Sequence, residues 1–446
     1  MRYLALMAIL LGTSVSCSKL QYQKFLKADS FYPYKLSYVI DKEQIYSFKD
    51  FNSESNKSIP LREIPKNSLS LGFVNEPVWI RLDAKNISSS TKIILDLGNS
   101  HLDEVNVYEK GNPNPIKIGG DFLAHSQWDA YSKSVAFQFE WPLNEDKTFY
   151  LETKTSSNIS YTIRFYTAET FYLKENIENM ILGFFYGTIF IMVLYNLFIY
   201  FILKDSAYIL YSFSIFFNLA LQVYLNGILN QILTLNHPDL HNRIGSVILC
   251  FSACFGWLFA QQTLNLRERN RYANRTIYVL IGMTVCYLLF FIYNLPLNLV
   301  VRTSNFIAQV FVISVFIVAL LNYGTGNKQA KLFLLGWSTL LLGILLFTLM
   351  QNGFLPANLV TIYSNQIGST LEAGILSLAL ANKINQLKEE KAKAQSEALL
   401  LLEEKVRERT KNLDESLFNI RKDLSVAKKI QQTFFSEIRT SDPRIK

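Results

Sequence analysis

Seven long apolar stretches follow one another between Ile177 and Lys383, and they constrain the fold more than any other feature of the chain. Each is close to the ~20 apolar residues that a helix needs to cross the hydrocarbon layer of a membrane. Several contain Asn, Gln, Ser or Gly, which is typical of helices that pack against one another. Seven in series favour a membrane bundle over the buried helices of a soluble protein. The predicted spans are 179–203, 207–230, 244–264, 276–294, 300–321, 331–351 and 359–381.

The basic residues of the short loops predict the orientation of this bundle, because such residues concentrate on the cytoplasmic side. On one side of the predicted spans lie Lys204, Arg267, Arg269, Arg271, Arg275, Lys328 and Lys331. The other side holds only Arg243 and Arg302. We therefore predict a multi-pass membrane protein, in contact with membrane lipid, with its N-terminal domain outside the cell membrane and its C-terminus in the cytoplasm. The same bias explains the net charge of +8, so no nucleic-acid partner is predicted.

Residues 1–17 have the pattern of an export signal, with a basic residue, a short apolar core and small residues before Cys17. The pattern resembles a bacterial lipoprotein signal, although Ser14 stands where such signals prefer Leu. Lipidation of Cys17 and plain signal cleavage both stay open. The remaining cysteines lie inside predicted spans, where we expect packing rather than disulfides or metal binding; they are Cys250, Cys254 and Cys286.

Residues 21–172 change to a period of two, which is typical of half-buried strands. Val78, Ile80 and Leu82 alternate with Trp79, Arg81 and Asp83. Turn-forming Gly, Asn and Pro separate such runs, and about eight short strands fit in this length. The pattern predicts an exported all-β sandwich.

Residues 384–437 predict one long cytoplasmic helix with apolar residues at alternating three- and four-residue steps. This seam favours a parallel homodimeric coiled coil, and a solvated amphipathic helix is the alternative. The seam changes phase near Leu399–Leu402, a place where two packings of a coiled coil can alternate. Residues 438–446 are expected to form a short tail without an output domain. The principal seam positions are Ile384, Leu387, Leu413, Leu417, Ile420 and Leu424.

Several classes of output are disfavoured by the residues that they would need. All four histidines precede the predicted cytoplasmic helix, so no phosphoacceptor for a histidine kinase is available there; they are His101, His125, His237 and His241. The span 359–381 contains no Lys for a retinal Schiff base. No phosphate loop or zinc spacing stands out, so we predict no enzyme activity, no cofactor and no metal.

Particular stretches resemble a known family. The segments Tyr195–Lys204, Leu264–Asn270, Lys331–Gly343 and, most specifically, Tyr363–Leu387 look like those of bacterial seven-transmembrane receptors with diverse intracellular signalling modules. Upstream, Ser70–Leu82, His101–Tyr108 and Asp121–Gln127 resemble the extracellular sensor domain of that family. The resemblance implies a sensor similar to carbohydrate-binding jelly rolls. It therefore implies a receptor of a bacterial inner membrane whose N-terminal domain lies in the periplasm. Such a receptor senses a periplasmic small molecule or glycan and signals through the coiled coil to a cytoplasmic effector.

The tail carries a second resemblance. Residues 404–435 look like the linker that precedes metal-dependent serine phosphatase domains of the sporulation type. The acidic clusters that would hold two divalent metals for such catalysis are absent from the sequence. This leaves the sensor portion of a phosphatase, with its catalytic part truncated or separately encoded, as the alternative function. A transporter is a third, less favoured, interpretation.

Two groups of residues are candidates for function. In the seventh predicted span a polar stripe surrounds an acidic residue, and ionisable groups in membranes are usually functional; we expect Asn365, Gln366, Ser369 and Glu372 to couple ligand binding to the cytoplasmic helix, or alternatively to hold helices together. Outside the membrane, aromatic faces beside polar groups suit a sugar. There the candidates for ligand contact, chosen partly from the family resemblance, are Trp79, Arg81, Tyr108, His125 and Trp128.

Overall fold

The computed structural model describes residues 34–52, 59–64, 68–88, 90–292, 294–323, 328–351, 354–355 and 359–441. The predicted export signal with Cys17 lies outside these residues, as does the end of the predicted tail. The side chains of Ile384 and Leu387 also lie outside them. The chain divides into two compact units, Met1–Ala379 and Leu380–Lys446, which are described separately.

The N-terminal part of the first unit is a β-sheet domain. Its longest sheet has six strands in the order β2-β1-β4-β9-β6-β7, and the smaller sheets are β10-β3 and β11-β5-β8. All pairings between these strands are antiparallel. The strands are β1 (Tyr34–Ile40), β2 (Arg62–Glu63), β3 (Ser68–Phe73), β4 (Val78–Lys85), β5 (Lys92–Asp96), β6 (Glu104–Glu109), β7 (Lys117–Gly119), β8 (Ala136–Glu140), β9 (Asp146–Lys154), β10 (Asn158–Thr162) and β11 (Arg164–Thr167). The described residues therefore contain eleven strands rather than about eight, and two of these, β2 and β7, are too short to show a period of two.

Side chains from all three sheets pack into one core. On β4, Ile80 and Leu82 are fully buried in this core, while Trp79 and Arg81 point to the other face of the sheet. The alternation in the sequence thus corresponds to two faces of a sheet, as it should for a strand with a period of two. A short helix, α1 (Phe48–Asn52), packs on the outer face beside Trp79. The β-sheet domain is established, whereas the jelly-roll arrangement stays a prediction.

Helices follow the β-sheet domain. The long ones are α2 (Ala168–Leu203), α3 (Ser206–Leu225), α5 (Pro238–Thr263), α7 (Arg271–Cys286), α8 (Leu297–Tyr323), α9 (Lys328–Gln351) and α11 (Ser364–Ser441). The short ones are α4 (Ile228–Ile232), α6 (Leu266–Arg269) and α10 (Leu359–Ile362). The helix α7 continues into a wider turn at Tyr287–Phe291.

Six helices in the described part of the chain are long and apolar enough to cross a membrane, and they correspond to the first six predicted spans. The second predicted span, 207–230, is too long: α3 ends at Leu225, because Gly227 turns the backbone to a left-handed φ of 74°. The seventh span, 359–381, is not among the six, and the structure divides it between α10 and the start of α11. Its polar residues lower its mean hydropathy, so the seven-helix bundle stays a prediction.

The helix α9 lies very close to the start of α11. A side-chain carbon at Gly343 or Gly368 would overlap the backbone of the facing helix, at Ser364 and Thr339 respectively. Small residues of this kind let membrane helices approach closely. The start of α11 is therefore fixed against the preceding helices.

The second unit contains the rest of α11. Its described side chains from Lys388 to Phe434 are all exposed. The seam positions Leu413, Leu417, Ile420 and Leu424 are among them, so a single chain does not cover the predicted seam. The coiled coil stays a prediction.

Candidate functional site

A cavity of about 940 Å³ lies between the β-sheet domain and the ends of the membrane helices that face it. The β-sheet domain contributes Asn99, Ser100 and His101 to its wall, and α3 contributes Gln222. The start of α11 contributes Asn365 and Gln366. Cavities of this size that combine apolar surface with a few convergent polar groups are the usual form of a small-molecule site.

Two of the four residues predicted to couple the membrane to the cytoplasm thus lie on this cavity. The Asn365 amide donates a hydrogen bond to Oε1 of Gln222 at 3.2 Å and so joins α11 to α3. Gln366 is buried, and its Oε1 has no hydrogen-bond partner among the described residues. Ser369 and Glu372 follow one and two turns further along α11 and are not part of the cavity wall.

The hydroxyl of Ser369 donates within the helix to the Asn365 carbonyl at 2.9 Å. Glu372 is half-buried, and in the described chain it forms no ion pair. Of the four residues in the polar stripe, Asn365 and Gln366 therefore line the cavity, whereas Ser369 and Glu372 do not.

A buried network of charges joins the β-sheet domain to α2. The Nζ atom of Lys174 lies 2.8 Å from Oδ2 of Asp96, and Nζ of Lys133 lies 3.0 Å from Oε2 of Glu178. Glu175 accepts a hydrogen bond from the backbone N–H of Lys133 at 3.3 Å. Asp96, Lys133, Lys174, Glu175 and Glu178 are called the ion junction below.

The acid at the centre of this junction is stabilised in its charged form. Burial tends to raise the pKa of Asp96, but the charge of Lys174 and the hydrogen bonds from Lys174, Ser134 and Gly98 together lower it. The hydroxyl of Ser134 donates to Oδ1 of Asp96 at 2.6 Å. Asp96 is consequently an ion that needs these partners, as expected for a buried charge.

A second contact surface lies where α3 ends and α5 begins. The ring of His101 lies between the β-sheet domain and α3, with Nε2 3.3 Å from the Leu225 carbonyl oxygen. Beside it lie Asp121, from the loop after β7, and His241, from the first turn of α5. His101, Asp121 and His241 are called the histidine junction below.

Gly227 brings the two parts of the chain together at this surface. A side-chain carbon at this position would overlap the Lys133 carbonyl oxygen and the Ser100 side chain. Its left-handed φ of 74° is also one that glycine adopts without strain. Only glycine therefore fits the connection between α3 and α4 at this point.

The five residues predicted to contact a ligand fall into two separate groups. Trp79, Arg81 and Tyr108 lie together on the outer face of the six-stranded sheet, where α1 covers part of them. Trp79 is buried against Phe51, with ring centroids 4.9 Å apart, so its face is not available to a sugar in this structure.

The other two members of this outer group are partly accessible. Arg81 pairs with Asp83 at 3.0 Å. Tyr108 stacks on Phe48 at 4.7 Å, and its hydroxyl donates to Glu152 at 3.3 Å. Burial and the neighbouring Glu152 carboxylate raise the pKa of Tyr108 to about 12, so it remains a donor at neutral pH.

His125 and Trp128 lie elsewhere, on the side of the β-sheet domain that meets the helices. Their rings are 4.6 Å apart, and the backbone N–H of His125 donates to the Leu235 carbonyl at 2.8 Å. Nε2 of His125 lies 2.9 Å from the Ser132 carbonyl oxygen, and the Trp128 indole donates to the Gly120 carbonyl at 3.0 Å. Both rings therefore hold a loop in place, close to the helices rather than beside Arg81 and Tyr108.

Comparison with known proteins identifies two domains. The family model "7TM diverse intracellular signalling" matches residues 178–383, and the model "7TMR-DISM extracellular 2" matches residues 34–167. A search of curated proteins found no match. The two models agree with the observed order of a β-sheet domain followed by apolar helices, and they confirm the resemblance found in the sequence. The chain therefore belongs to the 7TM diverse intracellular signalling receptors and is a multi-pass membrane protein with an extracellular N-terminal domain of the 7TMR-DISM type.

Proposed function

We propose that this receptor binds a polar ligand, a small molecule or glycan of the periplasm, in the cavity between the β-sheet domain and the helices. The observation that carries the proposal is the shared wall of that cavity. It combines loops of the extracellular domain with Gln222 of α3 and with Asn365 and Gln366 of α11. A ligand that contacts all three changes the relative free energies of any two arrangements of α11 against α3.

The helix α11 supplies the route for the signal. It runs without interruption from Ser364 to Ser441, so the residues at the cavity and the predicted seam belong to one helix. We propose that two copies of this helix pair in parallel along the seam in the cytoplasm of a bacterial inner-membrane protein. The exposed apolar side chains of Leu413, Leu417, Ile420 and Leu424 support this pairing, because a partner helix would bury them. A cytoplasmic effector would then bind one arrangement of the pair.

The outer face of the six-stranded sheet is the competing ligand site. Arg81 and Tyr108 offer polar groups there, but α1 covers Trp79. The phosphatase interpretation of the tail stays a prediction, since neither family match extends beyond residue 383.

Disulfide crosslinking in native membranes tests both halves of the proposal. In a chain whose Cys250, Cys254 and Cys286 are replaced by Ser, we would introduce Leu413→Cys and Leu424→Cys, with Lys411→Cys and Lys422→Cys as controls on other faces of α11. Strong crosslinks at the two Leu positions and weak ones at the Lys positions are expected for a parallel dimer. Equal crosslinking at all four would contradict it.

The same chains then locate the ligand. We would add a mixture of muropeptides and oligosaccharides and measure the change in crosslinking at Leu413→Cys. The response should disappear with Gln366→Leu, on the cavity, and persist with Tyr108→Phe, on the outer face. Loss with Tyr108→Phe alone would move the ligand site to the outer face.

A further inference from the structure

Three side chains that can bind metals meet at the histidine junction, although they are far apart in the sequence. One nitrogen of His101, one nitrogen of His241 and a carboxylate oxygen of Asp121 all lie within 4.8 Å of one another. Around a tetrahedral ion with bonds near 2.0–2.1 Å, ligand atoms are about 3.4 Å apart. Small side-chain rotations therefore suffice to bring these three atoms onto one ion.

The hydrogen bond made by the His101 ring leaves its Nδ1 atom free to bind a metal. Its Nε2 faces the Leu225 carbonyl oxygen at 3.3 Å, and because a carbonyl can only accept, Nε2 must carry the proton. Its Nδ1 is buried and has no hydrogen-bond partner in the described chain. With its proton on Nε2 and no acceptor for a second proton at Nδ1, the neutral ring has its lone pair on Nδ1.

In His241 the two ring nitrogens have the opposite roles: Nδ1 is hydrogen-bonded and Nε2 is free. Its Nδ1 lies 2.9 Å from the Thr234 hydroxyl oxygen. When that hydroxyl directs its own proton to the Leu229 carbonyl at 3.3 Å or to Oδ1 of Asn230 at 3.4 Å, it accepts from Nδ1–H of His241. The lone pair is then on Nε2, which is buried without a partner among the described residues. Histidines that bind metals usually donate their other ring N–H in this way, which fixes the tautomer and the ring orientation.

Asp121 supplies negative charge without a compensating cation. It is 2% exposed, and no Lys or Arg of the described residues forms an ion pair with it. With its amide nitrogen turned toward Asp121, Asn242 donates to the carboxylate at 3.2 Å. An uncompensated buried carboxylate is costly, and a bound cation would remove most of that cost.

We propose that Nδ1 of His101, Nε2 of His241 and the carboxylate of Asp121 bind one divalent transition-metal ion, with Zn²⁺ as the ion that this donor set fits best. Two imidazole nitrogens and a carboxylate suit zinc, whereas Mg²⁺ and Ca²⁺ prefer oxygen ligands. Three protein ligands leave a fourth position for water or for a group from the adjacent cavity, which His101 also lines. Because His101 and Asp121 belong to the extracellular domain and His241 to α5, the ion would join the two directly. This site is independent of the ligand proposed for the cavity.

Metal analysis of the full-length chain in nanodiscs tests the proposal. The protein would be purified with an affinity tag that contains no histidine, stripped with a chelator, and incubated with ZnSO₄, MgCl₂ or CaCl₂ before mass spectrometry of bound metal. We expect about one zinc ion per chain and no retained Mg²⁺ or Ca²⁺. His241→Gln, His101→Gln and Asp121→Asn should each lose zinc, while His237→Gln, which changes an exposed histidine at the start of the same helix, should retain it.

Two further measurements distinguish metal binding by these three residues from a purely structural role. One uses a variant that should weaken zinc binding without removing a ligand, and the other is an absorption spectrum. Thr234→Val keeps all three ligands but removes the hydroxyl that orients His241, so zinc affinity should fall about 10–100-fold. Co²⁺ bound to wild-type protein should show the intense d–d absorption of a four-coordinate site. This spectrum needs no variant, so it decides the matter even if His241→Gln does not fold. Folded wild-type protein without zinc and without that absorption, or zinc that is unaffected by all three ligand variants, would overturn the proposal.

Discussion

The extracellular domain meets the membrane helices through two polar contact surfaces with opposite chemistry. In the ion junction, acidic and basic side chains pair with one another, with Asp96 on Lys174 and Lys133 on Glu178. In the histidine junction, Asp121 has no cationic partner among the described residues, and both histidines direct unpartnered nitrogens inward. The first surface is satisfied by the protein itself, whereas the second is complete only with an additional ion. The comparison shows that burial of polar groups can mean either a finished contact or a binding site.

The largest effect that we expect comes from breaking the ion junction. Lys174→Met leaves Asp96 buried without its cation, whereas Glu178 keeps its ion pair with Lys133. The loss of one partner of a buried pair costs about 3–5 kcal/mol. A denaturant titration of the full-length chain in mixed micelles would measure the free energy of unfolding. The matched control is Lys154→Met, which breaks the 3.0 Å pair with Glu152 at a position where the lysine is 50% exposed. Exposed pairs contribute about 0–1 kcal/mol, so similar losses in both variants would contradict the difference between buried and exposed pairs.

A smaller loss is expected where the two parts of the chain approach most closely. Gly227→Ala forces a side chain into a left-handed backbone, at a cost of about 1–2 kcal/mol, and also into the Lys133 carbonyl. Gly111→Ala is the matched control, because Gly111 has a φ of 94° with open space around it. The same titration should show a clearly greater loss for Gly227→Ala. Equal losses of stability would mean that backbone strain alone accounts for the requirement for glycine at position 227. The close contact with the Lys133 carbonyl would then contribute nothing.

The smallest effect should appear in how the stabilisation by the ion junction changes with pH. It is small because burial partly offsets the influence of Lys174 on the pKa of Asp96. The pKa of Asp96 in the folded protein lies below its ordinary value of 3.8. The ionised carboxylate therefore stabilises the fold above that pH, and this stabilisation is lost as the pH falls through the lower folded value. Asp96 is faced by Lys174, Glu175 and Glu178 of α2 and by Lys133 and Ser134 of the β-sheet domain.

Thermal unfolding of wild-type protein and of Asp96→Asn between pH 7 and pH 3 measures this effect. The difference in unfolding temperature between wild-type protein and Asp96→Asn should be constant near neutral pH and should decrease below about pH 4. A difference that instead increases toward acid pH would have the wrong sign for this interpretation.

The sequence predicted those features that repeat locally. Period-two alternation identified β4, with Ile80 and Leu82 toward the core, and long apolar runs identified the six helices that are suited to a membrane. It could not predict that α1 would cover Trp79, because alternation specifies the face of a strand but not what packs on that face. It also missed His101, Asp121 and His241, because ligands that come from separate loops and a helix have no characteristic spacing. The one local signal was a histidine in the first turn of a helix whose later residues are mostly apolar.

The close fit at Gly227 has a consequence for exchanging domains between receptors of this kind. The sequence suggests a simple boundary between Thr167, the last residue of β11, and Ala168, the first residue of α2. A chimera joined there would separate Asp96 from Lys174 and would place a foreign loop against the backbone at Gly227. A functional graft would have to carry the start of α2, the connection from α3 to α4 and the first turn of α5 together with the extracellular domain. The unit that is exchangeable is therefore larger than the unit that folds as sheets, and it includes the helix ends on which the sheets rest.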